Sequence, residues 1–522
     1  MRTRMAHMTA RGGLRGAGLG PGDSSDLVVT IDGGFSAPRP AERGEAGAAA
    51  PGEGRGAAVD RGPLSLTLSP LTRGEGKHLQ LIGRQPQSAR SSRGDESSAL
   101  GPGASGLRLG LALLQLGVIG MVVILFVGRG HAAEVEASQR GTLFLEPSNI
   151  KGNAGITVFH PQTDVSATFA SGFGIAAGYA VDVVSGATPR VFGVRNDSTG
   201  RPVDAISGAT KFSDVRQQAH GALSYSRPLA DIAASYSYGW ENDYRSHAVT
   251  VTTRTDVLDH NLSINLSYTH NFDSVCDASN TDSVGIPLAR QALANSKNCF
   301  KGTPDVATRS LNIDAIEPSL TWAVTPRLAL QGGGTALILD GFQSNPYRQV
   351  DLGRAGARPQ ETLPQFRQRY ALFLRSAYAI PAARASIQAT GRVYRDSWGV
   401  RAATAELLLQ SYMTRFLLWS LRGRATAQSG AVFYEDAQTY FLHGPNGKYW
   451  TGDRELSPMQ NLLTGTKLTY LHIPESGEHH FISELDASLK FELLFYRLES
   501  VFAPNADRKY AGILQLAVSA RF

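Results

Sequence analysis

The sequence predicts an all-β protein, a transmembrane antiparallel β-barrel of about 14 strands, within a range of roughly 12 to 16. Three observations lead to this class: an export signal, long strands in which apolar and polar residues alternate, and connections that alternate between short and long. Because lipid offers no hydrogen-bond partner, backbone groups in the hydrocarbon must be satisfied internally. Strands that face it therefore have to close into a barrel.

Residues 1–107 are predicted to form a disordered, low-complexity extension. The segment is rich in Gly, Arg, Ser and Pro, it lacks helical or strand periodicity, and Phe35 is its single large ring. Such a composition cannot bury enough apolar surface to order a chain. Since a targeting signal follows, and such signals stand at the beginning of a chain, the assigned start is expected to lie upstream of the true one.

The basic charge of the chain belongs to its front section. The whole sequence contains 51 Lys+Arg and 45 Asp+Glu, of which residues 1–132 hold 15 and 10. Residues 133–522 are left with 36 basic and 35 acidic residues. This near balance lacks the electrostatic footprint of a nucleic-acid-binding domain, and we expect no nucleic-acid partner.

Residues 108–132 have the pattern of a signal peptide. Arg108 precedes the apolar run 109–128, and Gly130 and Ala132 fit the small positions before a cleavage site. An uncleaved membrane anchor is the alternative, because about twenty apolar residues can also span a bilayer. The signal predicts export, with an N-terminal periplasmic segment over 133–165 and the barrel over 166–522.

The mature region is a series of segments with period two. In 262–272, Leu, Ile, Leu, Tyr, His and Phe alternate with Ser and Asn, so one face is apolar and the other polar. The candidate strands lie near 167–184, 217–227, 232–240, 249–257, 262–272, 317–325, 327–340, 366–380, 382–395, 400–411, 413–428, 462–472, 480–490, 491–502 and 510–522. Most are longer than the strands of soluble sheets and suit a tilted transmembrane strand.

The connections and the aromatic residues favour a membrane barrel over a soluble sandwich. Tight connections at 227–228, 325–326 and 380–381 contrast with long ones at 274–307, 341–365 and 429–461, as in outer-membrane barrels. Aromatic residues cluster near strand ends, where interfacial girdles need them. These residues are Tyr236, Tyr238, Trp240, Tyr244, Tyr394, Trp398, Tyr412, Trp419, Tyr449 and Trp450.

Charged residues within the predicted strands indicate a polar lumen. A charge costs about 2–4 kcal/mol on the lipid face at the midplane, so these side chains should face the lumen or lie at the rims. The residues are Arg392, Arg395, Asp396, Arg415, Arg422 and Arg424. A wet lumen permits a channel, and a plugged barrel in which the same charges pair with one another is the alternative.

Two cysteines lie in one long connection. Cys276 and Cys299 stand in a polar stretch between two strand-like segments. An oxidising destination favours a disulfide between them, with two free thiols as the alternative. Neither a CxxC pair nor a histidine pair accompanies them, so we predict no metal site.

The last segment has the pattern of a barrel-assembly signal. Its apolar residues fall on one parity and the sequence ends at an aromatic residue, which looks like the signal read by the bacterial assembly machinery. The residues concerned are Tyr510, Gly512, Leu514, Leu516, Val518 and Phe522. We therefore expect the barrel-assembly machinery and outer-membrane lipid as partners, and the bacterial outer membrane as the location.

Most of the mature chain resembles an outer-membrane family known only as domain of unknown function number thirty-five seventy. The resemblance rests on the stretches 181–190 and 203–275, above all on the run of residues 241–247, and on 396–399. It implies a predicted barrel without an established activity. It therefore supports fold and location and leaves the function open.

One seven-residue sequence motif, Asp-x-x-Ser-Gly-Ala-Thr, occurs twice. The copies contribute Asp182, Ser185, Gly186 and Thr188, and Asp204, Ser207, Gly208 and Thr210. The motif is similar to the acceptor motif of extracytoplasmic flavoproteins, which implies FMN joined through its phosphate to Thr188 and Thr210 by a flavin transferase. The alternative is two strand ends with small residues, because the residues before the first copy continue a strand parity.

The sequence predicts a channel or a membrane scaffold of open specificity, not an enzyme. A covalently flavinylated envelope redox component is the alternative, and an outer-membrane hydrolase is the third hypothesis. The sequence of the mature region contains no nucleophile elbow, no zinc-protease motif and no phosphate-binding loop. No catalytic residue is therefore assigned, and FMN is the one cofactor that the sequence suggests.

Overall fold

A computed structural model describes residues 133–147, 155–188, 195–196, 202–203, 210–278, 299–301, 306–346, 348, 350, 352, 359–472, 482–498 and 508–522. In this part of the chain, sixteen antiparallel strands form one closed barrel, and a two-stranded ribbon stands apart from it. The predicted extension 1–107 and signal peptide 108–132 lie outside the described residues, as do Asp204, Ser207 and Gly208 of the second motif copy.

The strands cover most of the described chain. They are β1 Ala133–Glu146, β2 Ile156–Phe169, β3 Phe173–Thr188, β4 Arg195–Asn196, β5 Pro202–Val203, β6 Thr210–Arg227, β7 Ala230–Trp240, β8 Tyr244–Val257, β9 Leu262–Ala278, β10 Val306–Thr325, β11 Leu328–Gly341, β12 Phe366–Ile380, β13 Ala385–Asp396, β14 Arg401–Tyr412, β15 Leu417–Gln428, β16 Met459–His472, β17 Glu484–Leu498 and β18 Arg508–Arg521. Helix α1 is Ala437–His443, and single 3₁₀ turns are Cys299–Lys301, Pro381–Ala383 and Arg454–Leu456.

Each barrel strand pairs with its neighbour along the chain, except where the ribbon β4–β5 intervenes between β3 and β6. Closure comes from β1, which pairs with β2 on one side and with β18 on the other. Arg521 supports this seam, because its Nε lies 2.8 Å from Glu134 Oε1 and its Nη1 lies 3.1 Å from Glu484 Oε2. One guanidinium thus connects β1, β17 and β18.

The connections define two ends of the barrel. Turns of two to four residues at 170–172, 228–229, 258–261, 326–327, 381–384 and 413–416 lie at the short-turn end. The segments 189–209, 279–305, 342–365 and 429–458 lie at the long-loop end. In outer-membrane barrels the short turns face the periplasm and the long loops face outward.

The structure corrects the predicted strand inventory in two places. The segment 133–165, predicted to be periplasmic, contains β1 and most of β2, so the barrel begins at Ala133 and not at 166. Residues 484–498, drawn from the two predicted segments 480–490 and 491–502, form one strand, β17. Merging two candidates and adding two strands turns fifteen candidates into the sixteen observed in the described chain. Glu134, Glu136 and Arg140 obscure the apolar parity of β1, and β17 lacks a turn residue at its centre.

The predicted aromatic girdle is only partly correct. Tyr236 is exposed on the outer face and its hydroxyl lies 2.7 Å from His247 Nδ1. By contrast, Tyr244 is buried on the lumen side, and Trp398 and Trp450 are buried in loops. Proximity to a strand end does not determine which face a ring occupies, because that depends on parity and on loop packing.

Within the described residues, no helix is long and apolar enough to cross a membrane.

Candidate functional site: the barrel lumen

The alternation of side chains separates an apolar outer face from a polar lumen. On β12, Leu372 and Leu374 are 65% and 62% exposed, whereas Arg375 on the opposite parity is buried. Two residues that are paired across antiparallel strands have their side chains on the same face of the sheet. The assignment of outer and lumen faces on β12 therefore extends, strand by strand, around the closed barrel. Large exposed apolar side chains on the outer face include Leu223, Ile232, Val251, Leu266, Phe272, Leu320, Val393, Leu407, Leu462, Phe491, Leu514 and Leu516.

Charged residues of the strands lie where the sequence expects them. Arg392, Asp396, Arg422 and Arg424 have lumen parity, because Val393 and Leu421 are exposed on the outer face of the same strands. Two further arginines are at the rims of the barrel. Arg395 is exposed on the outer face near the end of β13, and Arg415 lies in the turn after β14.

A buried ionic network lies on the lumen face of β14, β15 and β17. Arg422 Nη2 lies 2.8 Å from Glu406 Oε2, and its Nη1 lies 3.2 Å from Glu492 Oε1. Lys490 Nζ approaches Glu492 Oε2 at 3.5 Å. The network crosses β16 at Gly465, where a Cβ atom would meet Glu492 Cγ at 2.4 Å. A side chain at position 465 would therefore separate Arg422 from its second carboxylate.

A second network stands on β2, β3 and β6. His160 Nδ1 lies 2.6 Å from Asp182 Oδ1, and His220 Nε2 lies 3.3 Å from Asp164 Oδ1. Gly178 lies on β3, between the strand of Asp164 (β2) and the strand of His220 (β6). A Cβ atom at this position would meet His220 Cε1 at 2.2 Å and Asp164 Oδ1 at 2.3 Å. As at position 465, a glycine on the middle strand lets two polar side chains meet across it.

At the long-loop end, Asp396 organises the start of β12 and the turn after β13. Its Oδ2 accepts from Arg367 Nε at 2.9 Å and from the Tyr394 hydroxyl at 2.9 Å. Its Oδ1 accepts from the backbone N–H groups of Trp398 at 3.0 Å and Val400 at 2.9 Å. The guanidinium of Arg367 also lies over the Trp398 ring, 4.0 Å from its centroid. The carboxylate is therefore surrounded by four donor groups.

Two long loops pack together into what we term the rim cap, formed by the described residues of 342–365 and 429–458. Thr362 and Trp450 exchange both backbone hydrogen bonds at 3.0 Å. The centre is Arg348, whose Nη1 lies 3.1 Å from Glu361 Oε2 and 2.9 Å from Asp453 Oδ2. All three charged side chains are buried, so the cap is held by a desolvated ionic triad.

The electrostatics of the cap follow from burial. Desolvation raises the pKa of Glu361, the neighbouring Asp453 carboxylate acts in the same direction, and Arg348 opposes both. Hydrogen bonds from the Asn345 backbone N–H at 2.7 Å and the Thr451 hydroxyl at 2.8 Å also favour the charged form. Burial is therefore the main reason for the upward direction, and the second carboxylate beside a single arginine adds to it.

Apolar side chains complete the rim cap in two clusters. Val350, Leu352, Tyr440 and Trp450 form one of them. The second consists of Leu363, Trp398, Val400, Ala431, Phe433 and Leu456. The first cluster also contains a polar core contact, since Tyr440 accepts from the Thr451 N–H at 3.1 Å and donates to the Phe433 carbonyl at 2.9 Å. Burial raises the pKa of the Tyr440 hydroxyl.

The first copy of the repeated motif ends a strand, as the alternative interpretation of the sequence predicts. Residues 182–188 form the last part of β3, and Asp182 is engaged by His160 on the lumen face. Of the second copy, Thr210 is described and begins β6. The register places Thr188 opposite Thr210 at the long-loop end. The two candidate attachment points are therefore cross-strand neighbours.

The remaining predicted site residues are placed as follows. Cys276 and Cys299 form a disulfide with a Cα–Cα distance of 5.6 Å, which connects the end of β9 to the turn Cys299–Lys301. Tyr510, Gly512, Leu514, Leu516 and Val518 lie on the outer face of β18. Phe522 follows that strand, and its backbone N–H donates to the Val135 carbonyl at 2.8 Å.

Four histidine–aspartate pairs among the described residues bear on the hydrolase hypothesis, one of them His260 and Asp256 at the turn after β8, with Nδ1 3.5 Å from Oδ2. His160–Asp182 and His220–Asp164 face the lumen, whereas His270 Nδ1 lies 2.7 Å from Asp314 Oδ1 on the outer face. Among the described residues, no serine or threonine hydroxyl hydrogen-bonds to these imidazoles, and no group of three metal-ligating side chains is found. The hydrolase hypothesis remains a prediction.

A closed barrel of long antiparallel strands with an apolar outer face and a charged lumen defines the class of outer-membrane β-barrels. The chain belongs to the family described as protein of unknown function (DUF3570), whose model matches residues 143–472. The resemblance that the sequence suggested is thereby confirmed. A search of the curated proteins finds no match to the chain.

Solved structures of similar shape are outer-membrane proteins of low sequence identity. A bacterial polysaccharide outer membrane secretin has 9% identity and a TM-score of 0.38, with 75% of this chain and 98% of that chain covered. Pseudomonas aeruginosa OccK9 (OpdG) has 8% identity and a TM-score of 0.35, with 75% and 99% covered. The Escherichia coli outer membrane transporter YddB has 9% identity and a TM-score of 0.31, with 70% and 60% covered.

Proposed function

We propose that this protein is a passive channel of the bacterial outer membrane for small polar solutes. The observation that carries the proposal is a closed barrel of sixteen strands in the described chain, with polar and charged side chains on the inner face. Barrels of about 16 to 18 strands enclose an aqueous channel, whereas eight-stranded barrels are filled by their own side chains. Arg392, exposed on a lumen-facing position, supports a wet interior.

Ion conductance in planar bilayers tests the channel. The refolded protein should produce stepwise conductance, and Thr426→Trp should reduce each step because position 426 faces the lumen. Ala425→Trp is the matched control, since Ala425 is exposed on the outer face of the same strand. Equal reduction by both variants would show that the current does not depend on the lumen face of β15. A folded protein that does not conduct would contradict the channel and favour a membrane scaffold.

A second candidate function is a covalently flavinylated redox component of the envelope. It is supported by the register that brings Thr188 and Thr210, one from each motif copy, opposite each other. Two isoalloxazine groups attached at these positions would belong to neighbouring strands at the same end of the barrel. Small residues before each threonine would let the flavin phosphate approach the backbone. A flavin transferase is the partner that this function requires.

Intact mass and in-gel flavin fluorescence of protein from native membranes test the modification. We expect one FMN per reactive threonine, with loss of one group in Thr188→Ala, one in Thr210→Ala and both in the double variant. Thr426→Ala is the control, because it removes a threonine hydroxyl that lies outside both motif copies. A wild-type mass without added FMN in cells that contain a flavin transferase would exclude this function.

A further inference from the structure

The lumen faces of β12 and β13 carry an excess of positive charge. Arg367, Arg369 and Arg375 lie on β12 and Arg392 lies on β13, all with lumen parity. The two strands contain one acidic residue, Asp396. This asymmetry is a property of the inner wall and not of the whole barrel, because the mature region is nearly neutral.

Asp396 is the one carboxylate of these two strands, and it acts on both Arg367 and Arg369. Arg369 also hydrogen-bonds to Tyr394, and with Arg375 three arginines of β12 share this single acidic partner. Its carboxylate is occupied by Arg367, by the Tyr394 hydroxyl and by two backbone N–H groups. Arg369 is only 8% exposed, and its Nε donates to no acceptor within the described structure. A buried guanidinium with an unused donor is costly unless an acceptor reaches it. Arg392 is exposed on the same wall and therefore accessible from the lumen, where Glu317 of β10 is the carboxylate that interacts with it.

The opposite wall has the reverse charge. In the strand order, β2 stands eight positions from β12, and β3 stands eight positions from β13, which is half of the circumference. The lumen faces of β2 and β3 carry Asp164 and Asp182 and contain no lysine or arginine, and the basic Arg216 on the adjacent β6 interacts with Asp182. A solute crossing the barrel therefore passes between a basic and a more acidic wall, and charges of opposite sign on the two walls orient and select ions.

We propose that the β12–β13 wall is a binding and selection site for small organic carboxylates, with Arg369 and Arg392 as the recognising groups. A guanidinium presents planar paired donors that match the two oxygens of a carboxylate. Arg392 meets the anion from the open lumen. Arg369 lies four residues further toward the long-loop end, about 13 Å away, and its unused Nε–H is a second contact point along the same wall. Small organic carboxylates would then be the solutes of the proposed channel. This assignment rests on the proposed channel function, because the conductance measurement requires a channel.

Two measurements on the refolded full-length protein test the site. In bilayers with a potassium chloride gradient, the reversal potential should have the sign of anion preference. Calorimetric titration should detect binding of benzoate and none of benzamide, its uncharged analogue. Arg392→Gln and Arg369→Gln should each weaken benzoate binding about tenfold and lower the anion preference. Arg395→Gln removes the same charge from the outer face of β13 and should change neither quantity.

The two measurements separate this inference from the channel itself. A protein that conducts with cation preference, and binds benzoate no better than benzamide, would refute the carboxylate site and keep the channel. A protein that does not conduct but binds benzoate through Arg369 and Arg392 would keep the site and refute the channel. Equal loss of binding in Arg395→Gln would also refute the site, because the effect would then follow net charge alone.

Discussion

Replacing Arg348 with methionine is expected to open the rim cap while the barrel stays folded. The variant would leave Glu361 and Asp453 buried without their counter-ion, and removal of one partner from a buried ion pair costs about 3–5 kcal/mol. Hydrogen exchange of the backbone amides of Thr362 and Trp450, which bond to each other across the two loops, measures the opening. Their protection should fall by about two to three orders of magnitude.

Two further variants separate lost charge pairing from lost packing. Adding Glu361→Met to Arg348→Met removes one of the stranded carboxylates, so it should restore a large part of the protection. Arg327→Met is the control, because Arg327 is exposed in the turn between β10 and β11. Unchanged amide protection in Arg348→Met would show that the apolar clusters, and not the ionic triad, hold the cap together.

The second large effect is expected from Arg422→Met, which acts on the barrel wall. Glu406 and Glu492 would lose the guanidinium that joins them across β14, β15 and β17. Their side chains are only 9% and 4% exposed, so solvent would compensate little. We expect the free energy of unfolding in urea to fall by about 3–5 kcal/mol, measured by tryptophan fluorescence of protein folded into lipid vesicles.

A double-variant cycle with Glu492→Gln gives the coupling between the two groups. In the presence of Arg422→Met, the Glu492→Gln substitution should be stabilising, whereas in the wild-type background it should be destabilising. Arg401→Met is the control for loss of charge, because Arg401 is exposed on the outer face of β14. A sum of single effects that equals the double effect would contradict the network.

The sequence determines the architecture of this protein because period-two alternation is a local property. In β9, the six apolar and aromatic residues from Leu262 to Phe272 all lie on the outer face, as their parity predicts. The same argument places the apolar residues of β18. In β1, the charged residues Glu134, Glu136 and Arg140 obscure the alternation of apolar and polar residues. The sequence therefore does not predict this strand, although its pairing with β2 and β18 is regular.

The networks of the lumen could not be predicted in the same way. Arg422 and Glu492 are 70 residues apart, and they meet because β15, β16 and β17 are adjacent and Gly465 leaves room between them. A glycine in a strand is visible in the sequence, but its role is not, because Gly391 and Gly423 have no neighbour near a Cβ position. Only the register distinguishes a glycine that bridges two charges from one that does not.

By itself, the sequence determined the class of fold, the outer face and the presence of charge inside the barrel, because alternation, strand length and turn residues are encoded locally. The tertiary structure decided which charges share a wall. It placed Arg369 and Arg392 half a circumference from Asp164 and Asp182, opposed Thr188 to Thr210, and joined Glu361 to Thr451 across 90 residues. These relations depend on strand number, closure and register, which no local pattern specifies.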